Sequence, residues 1–358
     1  MDERAVDGAV RLHDVAGERR AAGRPAGALA SCERALAILE RECGDGHPDV
    51  ANVLLTLGGV HQDLGGYAEA ERCYRRAVAI MRALPLDQEV LVRLRVQSLV
   101  HLGGIERVHG RLDGAEAVLL DALELAETQL GADDLDVATA CNALGMVCKY
   151  AARYDEARKR YDRALAILEA AHGPDAPELA SIYHNLGGLE HARGRHAAGE
   201  PHARRSVAIR ERTLGPDHPD VAADIAALAA LVDGQGRHDE AEALYRRAIA
   251  VFEAAYGPDH YELGINLNNL GVLAAARGDH AEAARCYQRS LEIKERLLGP
   301  DHPDVAMTVH NLAVLHHEHG RHAEARAGYE RALRIFAATL PADHPKISTC
   351  RDHLAELP

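Results

Sequence analysis

The side chains best able to do chemistry in this sequence are its 22 histidines, because imidazole can act as base, acid or metal ligand near neutral pH. The densest group is His310, His316, His317, His319 and His322. Its order is not the His-Glu-x-x-His arrangement, which sets two ligands on one helical face beside a general base. His-rich tracts can bind zinc or nickel, and metal content after purification without an affinity tag is the discriminating observation. No metal site is expected. Nine histidines fall at recurring places: His47, His218, His260, His302 and His344 in one set, and His196, His238, His280 and His322 in the other. Equivalent members of successive copies stand a helix pair apart, too far to share one ion at about 2.0 to 2.1 Å. Capping and hydrogen bonding at turns account for them.

Other reactive groups are no better organised. There is no Gly-x-Ser-x-Gly elbow, no phosphate-binding Gly-x-x-x-x-Gly-Lys-Ser/Thr loop and no dinucleotide fingerprint. Asp217, Asp220, Asp301 and Asp304 belong to a repeated linker and read as helix caps. The seven cysteines (Cys32, Cys43, Cys73, Cys141, Cys148, Cys286, Cys350) are odd in number and contain no Cys-x-x-Cys pair. They fit neither a disulfide framework nor a zinc knuckle and read as small buried thiols. No cofactor and no enzymatic activity are expected; an enzyme built on groove histidines is the remote alternative.

The elements that would position any site are set by an internal repeat. Gly215-Pro216-Asp217-His218, Gly257-Pro258-Asp259-His260 and Gly299-Pro300-Asp301-His302 recur every 42 residues, a period that signals stacked units. Ten residues after each anchor stands a leucine: Leu57, Leu102, Leu144, Leu186, Leu228, Leu270, Leu312 and Leu354. One step is longer by three residues, around Leu84-Pro85-Leu86-Asp87. Small residues form two further ladders, from Ala28 to Ala325 and from Ala35 to Ala332. Apolar spacing of three and four within each copy predicts two amphipathic helices. The first opens after His-Pro-Asp, where Pro suits an early position and Asp the positive end of the dipole. The second ends at Leu-Gly-Pro, with Gly suited to a left-handed cap.

A chain of 358 residues with no Trp, two Phe and abundant Ala and Leu suits thin helix-on-helix layers. The expected architecture is an all-α, right-handed superhelical solenoid over residues 1–343, with units starting near 5, 47, 92, 134, 176, 218, 260 and 302. A capping helix follows over 344–358. The formal charge of -14, without a dense basic run, argues against nucleic acid. The polar start at Met1-Asp2-Glu3-Arg4 and the absence of a long apolar stretch predict no membrane span and a cytoplasmic location.

Leu270-Gly271, Gly278, His280, Ala283, Tyr287 and Ser290-Leu291 resemble the tetratricopeptide repeat. The 42-residue period and the Leu-Gly-Pro-Asp-His-Pro-Asp-Val linkers look most like kinesin light chains and their bacterial relatives. Leu119 in place of the usual Tyr, and Pro25, Gly27 and Cys32 in the opening unit, depart from the pattern and predict looser stacking there. The resemblance implies a protein or peptide ligand on a concave surface made by the first helices. On that surface Asn185, Asn269 and Asn311 hold the position where peptide-binding members commonly carry an asparagine. Asn142, His184, Asn268 and His310 precede that position, and Lys149 and His191 lie two turns further along the same face. These nine residues are the candidate site, with His184, His191, His310 and His317 expected to change charge near pH 6.5. The expected role is a binding scaffold; the alternative is a sensor array acting on a separate signalling partner.

Overall fold

The computed structural model of the chain describes residues 2–340 and 344–358, so Met1 and the junction expected at 343 lie outside the described residues. Among the described residues there are seventeen α-helices and no strand. They fall into two compact units, residues 1–193 and 194–358. The first unit holds α1 (Glu3–Ala21), α2 (Pro25–Cys43), α3 (Pro48–Asp63), α4 (Tyr67–Ala83), α5 (Glu89–Val108), α6 (Leu112–Gln129), α7 (Leu135–Tyr150), α8 (Tyr154–His172) and α9 (Leu179–Ala192). The second holds α10 (His196–Leu214), α11 (Pro219–Asp233), α12 (His238–Tyr256), α13 (Tyr261–Ala276), α14 (His280–Leu298), α15 (Pro303–Glu318), α16 (His322–Thr339) and α17 (Pro345–Ala355). Odd-numbered helices are the first helix of each repeat and even-numbered ones the second. The chain is an all-α repeat solenoid.

The histidines of the linker are N-caps. The Nδ1 atoms of His47, His218, His260, His302 and His344 accept from the backbone N–H two residues on, at 3.1 to 3.4 Å. Asp134 does the same with a carboxylate oxygen at 2.9 Å. Where the column carries Ala176 there is no acceptor, and α9 starts only at Leu179. Replacing His302 with Ala is therefore expected to cost about 1 kcal/mol, and His302→Asp to restore it. Amide exchange over the first turn of α15 measures both; equal protection in the three proteins would refute the cap.

Three expectations are corrected. His196, His238, His280 and His322 are the first residues of α10, α12, α14 and α16, not turn residues before them. The extra residues near Leu84 lengthen α5 at its start, so the third unit's helix opens at Glu89 and Val92 is a buried helical residue. The linker glycines have positive φ but extended ψ, φ +86° and ψ 157° at Gly215. That is a region only glycine occupies readily, more restrictive than the compact left-handed cap.

Packing follows the ladders. Both small-residue columns are buried, and so are the leucines from Leu57 to Leu270; Leu312 and Leu354 are only half-buried. Where glycine follows the leucine and the second helix carries a tyrosine, the glycine receives the ring: a Cβ on Gly145 would come 2.5 Å from the Tyr161 ring, and one on Gly271 2.7 Å from Tyr287. Leu119 is fully buried in the same place, against Gly103. In the second unit, α17 closes over α16 with Ile347 and Cys350 packed among Ile335 and Phe336. All seven cysteines are free, and burial raises the thiols of Cys32 and Cys286 to about 11.

Candidate functional site

The candidate residues lie along the face formed by the first helices, and within each unit the structure joins several of them. Asn185 Nδ2 donates to Asn142 Oδ1 at 2.8 Å. Asn311 Nδ2 donates to Asn268 Oδ1 at 3.1 Å. Both pairs span 43 residues, from one residue before a leucine to two residues before the preceding leucine. The same relation links His13 to Thr56 at 2.7 Å and His310 to His353 at 3.1 Å. In the pairs α1–α3, α7–α9, α13–α15 and α15–α17 the first helices thus meet with a one-residue offset, joined by a ladder of polar side chains within each unit. His13, Thr56 and His353 were not among the candidates, although the repeated 43-residue offset between polar residues was a signal available in the sequence.

The ladder changes what its members can do. Asn185 and Asn268, expected to face outward, are buried, because the neighbouring first helix covers them. Asn268 Oδ1 also accepts from Thr308 Oγ1 at 3.1 Å, and Thr308 accepts from Lys294 Nζ at 3.0 Å. Lys294 is buried and its pKa is lowered by that burial. The expected groove amide is the outer end of a network rooted in the packing between α14 and α15. Asn142, Asn269 and Asn311 remain half-buried. Asn269 takes no part in the ladder.

His184 is half-buried and His191 exposed. Lys149 is half-buried with Nζ 5.3 Å from the centroid of the Tyr150 ring. His310 stacks on His353 with centroids 5.1 Å apart and packs near Tyr329. Burial, then the neighbouring His353, lowers it to about 4. The expectation that it titrates near 6.5 is therefore corrected. The histidine-rich run does not converge: His319 meets His280 edge-on, while His317 packs toward His322 and Tyr329. Among the described residues no three His, Cys, Asp or Glu side chains group as metal ligands.

A cleft of about 310 Å³ between α12, α13 and α14 is lined by Glu242, Arg246, Arg277 and Glu282. Those charges neutralise one another, since Arg246 pairs with Glu242 at 2.9 Å and with Glu282 at 3.1 Å, and Arg277 with Glu242 at 2.7 Å. On the second helices, Arg76, Arg163, Arg247 and Arg331 each reach back to Glu40, Glu127, Glu211 and Glu295 at 2.5 to 2.6 Å. This surface joins repeats through charge, while the opposite surface does so through amides and imidazoles. Among the described residues no helix is long and apolar enough to cross a membrane.

Comparison with known proteins agrees with this architecture. No curated protein sequence matches the chain. A putative kinesin light chain from Podosopora anserina, solved as nearly identical TPR-like repeats, is 20% identical over 58% of this chain and 97% of that one, with a TM-score of 0.44. A Rap protein complexed with competence and sporulation factor is 13% identical over 98% of each chain, with a TM-score of 0.62. A STAND signal transduction ATPase with a tetratricopeptide repeat sensor, from Pyrococcus horikoshii, is 12% identical over 92% of this chain and 49% of that one, with a TM-score of 0.63. The last two share the fold. The tetratricopeptide repeat model matches residues 12–83, 94–170, 140–198, 178–254, 223–295 and 262–338. With nearly every repeat matched, the chain belongs to the tetratricopeptide repeat family.

Proposed function

We propose that the chain is a binding scaffold that holds an extended peptide, or an extended segment of a partner protein, along its first helices. The observation that carries this reading is the cross-helix ladder, in which Asn142 and Asn311 are oriented by Asn185 and Asn268 while still half-accessible. An amide has two donors and two acceptor sites, so each retains hydrogen-bonding capacity for a peptide backbone. Pre-orientation reduces the entropy lost on binding. No metal ligand set competes with this reading among the described residues. The Rap structure named above holds competence and sporulation factor, and at its identity the likeness to this chain is one of fold.

The test uses the partner recovered by affinity purification from the native host. Changing Asn142, Asn269 and Asn311 together to Ala is expected to weaken that partner by about 2 to 4 kcal/mol in calorimetric titration, from about 0.5 to 1.5 kcal/mol for each bond. Thermal stability should fall by no more than about 1 to 3 kcal/mol, from the buried Asn185 amide that loses its acceptor, and Asn269→Ala alone should change it little, because Ala is the better helix former. Lost stability with intact affinity would make these amides structural and end the proposal.

A further inference from the structure

Arginines in this protein commonly sit on carboxylates: Arg93 on Asp134 and Asp136, Arg153 on Glu116, Arg237 on Glu200. Arg107 and Lys149 of the first unit are among the cations that do not. Among the described residues no carboxylate lies within 4.0 Å of the side-chain nitrogens of Arg107 on α5 or Lys149 on α7. Both instead lie against one ring, Tyr150, with Arg107 Cζ 4.9 Å and Lys149 Nζ 5.3 Å from its centroid. That ring is 60% exposed. Burial, and then the nearby guanidinium, lower the pKa of Lys149, so the two charges are close enough to oppose one another.

A third group is unfinished. The Tyr161 side chain is fully buried, and its hydroxyl has no hydrogen-bond partner. Arg107 and Tyr150 both act on that hydroxyl electrostatically, which places it in their neighbourhood. The equivalent tyrosine two repeats earlier, Tyr74, donates to Gln62. Gln62 occupies the column that Lys149 occupies here, five residues after the leucine. The column therefore lies within reach of this hydroxyl, and in the Lys149 repeat the bond is not made. On the neighbouring α9, Gly188 lies beside the ammonium: a Cβ there would stand 3.4 Å from Nζ.

The uncompensated charge is two units positive, in a chain whose formal charge is -14. The donors are a guanidinium fork, an ammonium and a hydroxyl. A carboxylate would neutralise one cation and leave the other; a phosphate monoester brings about two negative charges and three strong acceptor oxygens. We propose that Arg107, Lys149 and the Tyr161 hydroxyl form a binding site for a phosphate-class dianion, either free or carried on a phosphorylated side chain. The site is separate from the asparagine ladder, and either can fail without the other.

The experiment titrates the full chain with inorganic phosphate, followed by phosphorus NMR, and with a phosphoserine peptide beside its serine and glutamate counterparts. Saturable binding of phosphate or phosphopeptide with Kd of about 1 mM or tighter is expected. Lys149→Met and Arg107→Met should each weaken it by about tenfold or more. Tyr161→Phe removes a hydroxyl that bonds nothing in the free protein, so it should weaken binding with the melting temperature unchanged. If the phosphopeptide binds about tenfold more tightly than inorganic phosphate, the dianion is peptide-borne; equal affinities identify a small anion. No saturable binding by the folded wild-type chain, a glutamate peptide as tight as the phosphopeptide, or affinities untouched by the two Met variants would each overturn the site.

Discussion

Replacing Asp224 with Ala is expected to destabilise the second unit by about 1 to 3 kcal/mol, because it removes a buried carboxylate that both the half-buried Arg210 and the buried Ser206 hydroxyl bond. Asp224 on α11 is inaccessible to solvent, and its Oδ1 accepts from Arg210 Nη1 of α10 at 2.8 Å. Ser206 donates to the other carboxylate oxygen. The repeat supplies its own control. The column of Arg210 holds Leu39, Leu168, Phe252 and Phe336 in other repeats, and the column of Asp224 holds Val53, Ile182 and Cys350. The double variant Arg210→Leu, Asp224→Ile should therefore recover most of the loss or exceed wild type, since a well-packed apolar pair often matches a buried ion pair. Chemical denaturation followed by a probe in the second unit measures both. A loss below about 1 kcal/mol in Asp224→Ala would mean that Arg210 finds water on opening, and the pair is marginal.

Acidification is expected to be the second large perturbation. Burial, assisted by Arg20, lowers His101 to about 4 as it stacks on Tyr74 at 5.0 Å. His310 is also lowered to about 4, by burial and then by His353, with Tyr329 and Asn311 beside it. In the unfolded chain a histidine takes up its proton near pH 6.5, whereas these rings resist it until about 4. Their contribution is thus fully present above pH 6.5 and is lost progressively as pH falls toward 4. Between pH 7.5 and 5 the His101 contribution should fall by about 2 kcal/mol, from 1.36 kcal/mol per unit. The half-buried His310 contributes less. The readout is the difference in pH dependence between wild type and His101→Phe, which cancels the carboxylates common to both. Parallel curves would show that His101 takes up its proton without opening the packing.

Much of the fold can be read from the sequence because each repeat carries its own punctuation. His-Pro-Asp caps and starts a helix, Leu-Gly-Pro ends one, and the leucine and alanine columns fix which faces meet. The shift of α5 to Glu89 was hidden because a three-residue insertion can enter a loop or extend a helix, and spacing alone does not choose. The candidate site was legible only as a face. Counting along one helix put Asn185 on the surface, but the one-residue offset between neighbouring first helices turns its amide into Asn142 and buries it. Arg210, Asp224 and Lys294 look like solvent-facing residues by type, and only comparison down their columns of leucine, phenylalanine and isoleucine shows them to be core positions. Arg107 and Tyr161 escaped for a different reason: what marks them is the absence of a partner, and a sequence does not display absences.

The histidine cap and the positive-φ glycine lie beside one another in the same short linker, at Gly215 and His218 and again at Gly299 and His302. The repeats between Gly215 and His302 are therefore bounded on both sides by the same joint. A recombination event that removes or duplicates one whole copy in the gene would leave a terminated helix followed by a capped one, and the reading frame of the leucine column would continue across the scar. The number of repeats can change by whole units without any new boundary having to evolve, whereas the two cations at Arg107 and Lys149, which need neighbouring copies to differ from the rest, would be lost or separated by the same event.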